Sequence, residues 1–399
     1  MLTRRFLLCL FNRESEPEFL QRIVDWICSE LNDKRTNNIE GGLVGIGSRV
    51  KKLKSYLDLN STEVLFIGIS GISGMGKSTL ARVVFNRIRD QFDASSFLEI
   101  FGEDKNCLVT LQERLLWDIC KKKYRVRDVD NGFQLISNNL CNRKVLIIVD
   151  DVSKQETLER LIGKPDLFGS SSRIIVTTKE RNFLVDYGIT SVWKAEGLEN
   201  DEALQLFSLK AFHTPHCENN FPGLCIDFVN YAQGLPLVLE VLGSYLHKRT
   251  EMDWRSVLNQ LKAIPEKETT KKLKLALNGL GSNERELFLD IACFFNGEDQ
   301  NRVIDILESV RCSHSITILI DKSLITIVGG KLWMHSLLQQ MGWEIVCEQS
   351  EEPERLSRLW LHAEVFDVLK NNTVSKLLYR HKIREFYNSC KFFLYLPVY

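Results

Sequence analysis

One glycine-rich segment has the residue types and the spacing of a phosphate-binding loop. Residues 71–78 read Gly-Ile-Ser-Gly-Met-Gly-Lys-Ser and match the pattern G-x-x-x-x-G-K-[ST]. The glycines let backbone N–H groups curl around phosphate oxygens, which a Cβ would obstruct. Lys77 would bring a point charge to the β- and γ-phosphates, and Ser78 would offer its hydroxyl to Mg²⁺. A helix expected from about Lys77 would direct its positive end to the same phosphates.

Two carboxylates at the end of an apolar run supply the second half of such a site. The run Val145–Val149 leads into Asp150 and Asp151. In an open parallel sheet, ligands bind at the carboxyl ends of the strands, where the phosphate loop also lies. Asp150 is therefore expected to hold Mg²⁺ through water, and Asp151 to orient or deprotonate an attacking water. Taken alone, two acids after a strand more often cap a helix, and the phosphate loop upstream reverses that preference.

The segments around these residues predict an α/β fold with a parallel sheet. Short β-rich runs occur at Val64–Ile69, before the loop, at Val145–Val149 and at Arg173–Thr178. Apolar strands separated by helical segments indicate a sheet that is buried on both faces. A helix is expected over Ser78–Arg89. After about Gly197 the pattern predicts a helical subdomain, with helices at 201–212, 221–233, 237–248 and 254–263.

The last third of the chain predicts a winged-helix subdomain. Helices are expected at 271–280, 284–295 and 301–309, followed by a β-hairpin at Leu324–Trp333 and a helix at Ser336–Cys347. Winged helices often bind DNA. The candidate recognition helix, 334–348, holds no Lys or Arg but includes Glu344 and Glu348, which would repel phosphate. Nucleic acid is therefore not an expected partner.

Composition and charge exclude several classes of protein. The chain has 399 residues, and its 52 Lys and Arg balance its 52 Asp and Glu, which again disfavours binding to a phosphate backbone. The length suggests two to four domains at about 100–200 residues each. Its apolar runs are far shorter than the roughly 18–20 residues that span a membrane. Residues 1–11 imitate a signal peptide, but no small-residue cleavage site follows.

The cysteines and histidines do not predict a metal site. The 11 cysteines are odd in number and form no C-x-x-C pair, which favours a reduced, intracellular protein. His213, His216 and Cys217 lie close together in sequence, but no second ligand pair has zinc spacing. A solvated loop is expected there.

Taken in order along the chain, these motifs resemble the NB-ARC nucleotide-switch region of plant intracellular immune receptors of the TIR–NB-ARC–leucine-rich-repeat type. The resemblance covers about Glu40 to Asn371, and residues 12–31 are similar to the family's junction with the TIR domain. Besides the phosphate loop, the segments that carry it are Val44–Arg49, Lys144–Val152, Gly169–Thr178, Asp201–Phe207, Gly234–Leu237, Phe288–Phe295 and Met334–Ser336.

The resemblance implies a site for ADP or ATP with Mg²⁺. It places Val44 and Arg49 beside the adenine, Pro236 near the adenine and ribose, and His335 at the β-phosphate of ADP. Ser78 and Asp150 would hold the metal, and Asp151 would be the catalytic residue. Judged without the family, Pro236 would simply begin a helix and His335 would be structural. The nucleotide-binding residues it implies are Val44, Arg49, Gly71, Gly74, Met75, Gly76, Lys77, Ser78, Thr79, Lys179, Pro236 and His335.

The resemblance also implies a function as a nucleotide switch in plant defence signalling. ADP would hold the subdomains closed, and exchange for ATP would open them and permit homo- or hetero-oligomers with related receptors. A cytoplasmic or nucleo-cytoplasmic location follows. Two alternatives stay open, a slow P-loop ATPase and a truncated adaptor or regulatory fragment that lacks its own output. Any turnover is expected to be slow.

Three departures from the family pattern matter. Lys179 stands where the family has an arginine that senses the γ-phosphate, and lysine lacks the planar fork for bidentate contact. Ser336 ends the motif that the family writes Met-His-Asp, which predicts a less tightly held ADP state. The TIR domain is reduced to a remnant helix, so no NAD-cleaving activity is expected, and no leucine-rich repeat follows Asn371.

The expected organisation therefore has five parts. These are a remnant helix and linker at 1–40, a P-loop nucleotide-binding domain at 41–196, a helical subdomain at 197–265, a winged-helix subdomain at 266–370 and a divergent tail at 371–399.

Overall fold

The computed structural model describes residues 42–100, 105–141, 143–217, 221–262, 269–307, 310–349 and 356–358. The expected helix at 18–31, most of the linker after it and the tail at 371–399 lie outside these residues. The chain divides into two compact units. The first comprises the described residues up to Ile72 together with Gly76–Ala195, and the second comprises Ser73–Met75 and the described residues from Glu196 onward.

A five-stranded parallel sheet forms the centre of the first unit. The strands are β1 (Leu65–Ser70), β2 (Ala94–Glu99), β3 (Val145–Asp150), β4 (Arg173–Thr178) and β5 (Ser191–Lys194), in the order β2-β3-β4-β1-β5. The predicted parallel sheet is confirmed, and its three predicted strands are the central ones. Every residue of β3 and β4 is buried, as their continuous apolar runs suggest. The two edge strands were not predicted, because β2 begins Ala-Ser-Ser and β5 has only four residues.

Helices connect these strands. They are α1 (Ile46–Leu57), α2 (Lys77–Ile88), α3 (Lys105–Cys120), α4 (Val129–Leu140), α5 (Gln155–Leu161) and α6 (Arg181–Asp186), with 3₁₀ turns at Arg89–Gln91 and Pro165–Leu167. Helix α2 begins at Lys77, the lysine of the phosphate loop, as the sequence predicts. Its buried face, which includes Leu80, Val84 and Ile88, has the spacing of an amphipathic helix.

A buried arginine joins three parts of the first unit. Arg173, the first residue of β4, is fully buried, and its guanidinium donates hydrogen bonds only to backbone carbonyls. Several of these carbonyls lie at the end of α1 and in the loop that leads into β1. The acceptors are the carbonyl oxygens of Leu57, Asp58, Ser61, Glu63 and Ser172. Arg173 therefore closes a turn by giving donors to carbonyls of α1, of the loop before β1 and of the residue that precedes it.

The second unit begins with four helices. They are α7 (Asn200–Phe212), α8 (Pro222–Ala232), α9 (Pro236–Leu246) and α10 (Glu251–Lys262), each close to its predicted bounds. Trp254 is buried at their centre, with the rings of Phe207, Phe212 and Phe228 within 6 Å of its own. The tip of the phosphate loop belongs to this unit, where the Leu237 N–H donates to the Gly74 carbonyl at 3.3 Å.

A winged-helix arrangement completes the second unit. Its elements are α11 (Thr269–Lys274) with a 3₁₀ turn at Leu275–Gly279, α12 (Ser282–Asp290) with a π-helical turn at Ile291–Phe295, α13 (Gln300–Ile306), α14 (Val310–Asp321), β6 (Thr326–Val328), β7 (Lys331–Trp333) and α15 (Ser336–Cys347). The predicted hairpin and the last helix are confirmed. Helix α14 was not predicted, since residues 316–320 are rich in β-branched side chains. Its buried residues Cys312, Ser315, Ile316 and Leu319 nevertheless have helical spacing.

The described segment 356–358 packs against α12. The Arg358 side chain is fully buried and donates to the Asp290 carboxylate at 2.7 Å and to the Glu286 carboxylate at 2.8 Å. A third bond reaches the Glu286 carbonyl at 2.9 Å. No helix in the described part of the chain has both the length and the apolar character that crossing a membrane requires.

Candidate nucleotide-binding site

The phosphate loop has a backbone that depends on its glycines. Gly71, Gly74 and Gly76 all have positive φ angles, of 155°, 83° and 84°. A side chain at Gly74 would be strained by this φ, and its Cβ would also lie 3.0 Å from the Cβ of Leu237. Gly76 immediately precedes the first residue of α2. The free N–H groups of the helix terminus and the loop amides therefore favour an anion at this position.

Lys77 is held inside the loop that precedes it. Its side chain is buried, and Nζ donates to the Ile72 carbonyl at 3.0 Å. Burial lowers the pKa of Lys77 from its ordinary value, whereas the nearby carboxylates of Asp151 and Asp150 act to raise it. The loop itself therefore positions the ammonium group of Lys77, and the two acids offset the cost of its desolvation.

Asp150 and Ser78, the two predicted metal ligands, are brought together. Asp150 is the last residue of β3, and burial raises the pKa of its carboxyl to about 6. Hydrogen bonds from the hydroxyls of Thr177 and Ser78 act in the opposite direction. A hydroxyl and a carboxylate are the hard oxygen ligands that Mg²⁺ takes, with phosphate and water oxygens completing its shell. Ser78 and Asp150 therefore fit a magnesium ion bound together with a nucleotide.

Thr177 connects the two acids and was not among the predicted site residues. Its Oγ1 donates to the Asp150 carboxylate and accepts the Asp151 N–H at 2.9 Å. The next residue, Thr178, donates from its hydroxyl to the Val152 carbonyl at 2.7 Å. Two hydroxyl residues at the end of an otherwise apolar buried strand were the available signal, because buried hydroxyls require partners. The ends of β3 and β4 are joined by these bonds.

Lys179 and Asp151 form an ion pair on the surface of the first unit. Lys179 Nζ lies 3.8 Å from Asp151 Oδ2, and the two side chains are 48% and 34% exposed. A pair this exposed and this long stabilises little. It does bring the predicted γ-phosphate sensor beside the predicted catalytic residue.

The other predicted residues are distributed over both units. Val44 is partly buried just before α1, and Arg49 donates from Nη1 to the Gly45 carbonyl at 2.8 Å. Met75 lies in the loop and Thr79 is exposed on α2. Pro236 and His335 belong to the second unit, and each has a local structural role. Pro236 is the first residue of α9, and His335 precedes α15, where its Nδ1 accepts the Leu337 N–H at 3.0 Å.

Comparison with known families decides the identity of this fold. Residues 47–217 match the NB-ARC domain, and residues 281–350 match the winged-helix domain described as Disease resistance protein Roq1-like. This chain contains an NB-ARC domain. The first match contains the phosphate loop, Asp150, Asp151, Thr177 and Lys179. The NB-ARC resemblance inferred from the sequence motifs is thereby confirmed.

Plant disease-resistance proteins are similar to most of this NB-ARC chain. Disease resistance protein RUN1 of Vitis rotundifolia is 39% identical over 352 residues, which are 86% of this chain and 26% of that protein. TMV resistance protein N of Nicotiana glutinosa is 36% identical over 373 residues, which are 91% of this chain and 32% of that protein. The chain therefore spans about a quarter to a third of the length of these relatives.

A solved structure supports the fold of the NB-ARC chain. It is a Signal Transduction ATPase with Numerous Domains (STAND) protein with a tetratricopeptide repeat sensor, from Pyrococcus horikoshii. The TM-score is 0.51 at 17% identity, covering 80% of this chain and 45% of that one. At this identity the likeness concerns the fold alone, and it agrees with a P-loop sheet followed by helical and winged-helix parts.

Proposed function

We propose that this chain is the nucleotide-binding switch of a plant intracellular immune receptor, with an ADP-bound resting state and an ATP-bound active state. The carrying observation is the assembled group of Lys77, Ser78, Asp150 and Asp151 behind an NB-ARC phosphate loop. The disease-resistance relatives supply the biological context. The chemistry of the group suits a ligand with linked phosphates together with a divalent cation.

Each predicted site residue has a part in this proposal. The loop amides and Lys77 would bind the phosphates, and Thr177 holds the Asp150 carboxylate by a hydrogen bond. Ser78 and Asp150 would hold magnesium, which would supply positive charge to the phosphate oxygens. Asp151 is the group that would accept a proton from an attacking water. Val44, Arg49 and Pro236 would surround the base and ribose, and His335 would donate to the β-phosphate.

Lys179 is proposed to distinguish ATP from ADP. Its ammonium pairs with the Asp151 carboxylate at 3.8 Å. A γ-phosphate offers a stronger anion, so that binding of ATP would draw Lys179 away from Asp151. A lysine makes only a point contact, which predicts weak discrimination and slow hydrolysis. Slow ATP turnover is thus a second candidate function, and it would act as a timer for the switch.

Partners and location follow from the same proposal. The ATP-bound state would form oligomers with copies of this chain or with related receptors. We propose a cytoplasmic or nucleo-cytoplasmic location, because 11 cysteines, odd in number and without a C-x-x-C pair, favour a reducing compartment.

The test is the nucleotide retained after purification. Chromatography and mass spectrometry of the denatured protein should find ADP in the wild type and none in Lys77→Ala, while Lys51→Ala, which changes an exposed lysine of α1, keeps it. No retained nucleotide in the wild type, even after addition of Mg-ATP, would contradict the switch. Steady-state turnover in the usual enzyme range of about 1–10³ per second would replace it with an ordinary ATPase.

A further inference from the structure

A strongly basic segment lies on the surface of the first unit, between α3 and α4. Residues 121–127 read Lys-Lys-Lys-Tyr-Arg-Val-Arg, so five of these seven residues are positively charged and none is acidic. All five basic residues are exposed. Because the whole chain balances 52 basic with 52 acidic residues, this concentration of one sign is a local feature. Residues 121–127 are called the basic segment below.

The charges of the basic segment are not used by the fold. Within the ranges that the structure describes, none of the five basic side chains forms an ion pair or a hydrogen bond. The nearest acids in the sequence are bonded to other groups. Asp118 accepts the Ser96 hydroxyl at 2.7 Å, and Asp128 accepts the Asn131 N–H at 2.8 Å at the start of α4. The five cations are therefore available to an anionic partner.

The backbone of the basic segment is nevertheless held against the protein. Val126 is buried, and its N–H donates to the Glu113 carboxylate of α3 at 3.0 Å. The Tyr124 hydroxyl donates to Asn139 Oδ1 of α4 at 3.3 Å. A segment already ordered by such contacts loses less conformational entropy on binding than a disordered basic arm would lose. The fold therefore presents these cations from a defined place.

A large exposed ring lies beside the basic segment. Trp117 is 52% exposed, and its carbonyl accepts the Lys121 N–H at 2.9 Å. It follows Glu113 by one helical turn, so it lies on the face of α3 from which Glu113 binds the segment. Arg114, three residues before Trp117, is exposed as well. Tryptophan together with Lys and Arg is typical of protein surfaces that bind lipid, because indole favours the headgroup level and the cations attract anionic lipids.

We propose that Trp117 and the basic segment form a peripheral docking surface for a bilayer that contains anionic lipids. A lipid surface requires no groove in the protein, and each Lys or Arg near it strengthens binding by roughly fivefold. One ring and a few cations give reversible attachment that salt weakens. This surface requires no nucleotide, so the inference goes beyond the proposed switch and does not depend on it.

Nucleic acid is the other extended polyanion that could meet this surface, by stacking a base on Trp117. The neutral charge of the whole chain favours the bilayer, because proteins that follow a phosphate backbone usually carry a larger excess of basic residues. Nucleic acid is therefore one of the outcomes that the experiment distinguishes.

The experiment measures co-sedimentation of the purified full-length chain with lipid vesicles. Phosphatidylcholine vesicles with about 30% phosphatidylserine are compared with pure phosphatidylcholine vesicles, at about 0.1 M salt. The test variant neutralises three exposed cations of the basic segment, by Lys122→Gln, Lys123→Gln and Arg125→Gln. The matched control removes the same charge from exposed positions of α1, by Lys51→Gln, Lys52→Gln and Lys54→Gln. A third variant, Trp117→Ala, removes the ring.

The wild type should bind the phosphatidylserine vesicles and not those of pure phosphatidylcholine. The test variant should need about 30–100-fold more lipid for half-maximal binding, whereas the control should stay within about threefold of the wild type. Trp117→Ala should weaken binding by about 3–10-fold, and about 0.5 M salt should release the wild type. The thermal midpoints of the two glutamine variants should match that of the wild type, because the replaced side chains are exposed.

Several results would overturn the proposal. One is a wild type that does not bind phosphatidylserine vesicles at about 0.1 M salt. Another is an equal loss of binding in the test and control variants, which would assign the effect to net charge and not to this surface. The same proteins are mixed with a fluorescent single-stranded oligonucleotide. Binding of the oligonucleotide that only the test variant loses, without binding to vesicles, would assign the surface to nucleic acid instead.

Discussion

Burial decides the chemistry of the residues at the centre of the site. Lys77 and Asp150 are both buried, and desolvation lowers the pKa of the lysine and raises the pKa of the aspartate, which favours the neutral form of each. Specific partners oppose both shifts. They are the two carboxylates for the lysine and the hydroxyls of Thr177 and Ser78 for Asp150. A magnesium-bound polyphosphate would supply opposite charges to both groups. The site is therefore expected to be most stable with its ligand present.

Ser336 provides a prediction at the scale of one residue. It is the first residue of α15, and the first turn of that helix holds no acidic residue. An acid there interacts favourably with the helix dipole, by about 0.3–1 kcal/mol, and restores the acid of the family's motif. Ser336→Asp should therefore slow ADP release by about 2–5-fold. The check is a stopped-flow measurement of ADP release, with Ser336→Asn as the uncharged control. Equal release rates in wild type and Ser336→Asp would show that the serine does not weaken ADP binding.

At the scale of elements, long-range side chains join segments that local patterns leave apart. Arg173 connects β4 with the end of α1 and with the loop before β1. Thr177 and Thr178 connect β4 with the end of β3. The phosphate loop follows β1, and the two acids lie at the end of β3 and just after it. These side-chain contacts add to the backbone pairing of β4 with β1 and β3, which holds the two halves of the site together.

The Arg173 contact predicts a large effect on stability. Arg173→Met would fill much of the same volume but would remove all the guanidinium hydrogen bonds, including the one to the buried Leu57 carbonyl. The free energy of unfolding of the first unit should fall by about 2–4 kcal/mol. Urea denaturation monitored in the nucleotide-free protein checks this value. Arg181→Met, which changes an exposed arginine at the start of α6, should stay within about 0.5 kcal/mol of the wild type. A loss below 1 kcal/mol in Arg173→Met would mean that water replaces the guanidinium.

At the scale of the whole molecule, the proposed nucleotide contacts belong to two compact units. Lys77, Ser78 and Asp150 are in the first, whereas Pro236 and His335 are in the second. If the proposed roles of Pro236 and His335 are right, adding nucleotide should stabilise the segments that contain them as well as the phosphate loop.

Hydrogen–deuterium exchange tests this consequence. Adding ADP and Mg²⁺ should slow amide exchange at residues 71–80 and also at 334–338. The Lys77→Ala variant is the control, in which neither segment should change. Slower exchange at 71–80 alone would show that the nucleotide is bound by the first unit and would remove His335 from the proposed site.

Local patterns in the sequence were enough to predict the central strands β1, β3 and β4, the phosphate loop, the helices of the helical subdomain, the hairpin and helix α15. These features depend on neighbouring residues, through apolar periodicity, glycine spacing and turn residues. The NB-ARC family also followed from motif order. Domain boundaries and the individual roles of the site residues stay predictions.

Contacts between residues far apart in the chain are visible in the tertiary structure and not in the local patterns. Strands β2 and β5 are short or polar, and they form because a neighbouring strand binds their backbone. Arg173 finds a carbonyl 116 positions away, Thr177 finds Asp150 across 27, and Asn296 finds Met334 across 38. Buried polar groups require partners, but the identity of each partner depends on how remote segments pack. No local pattern contains that information.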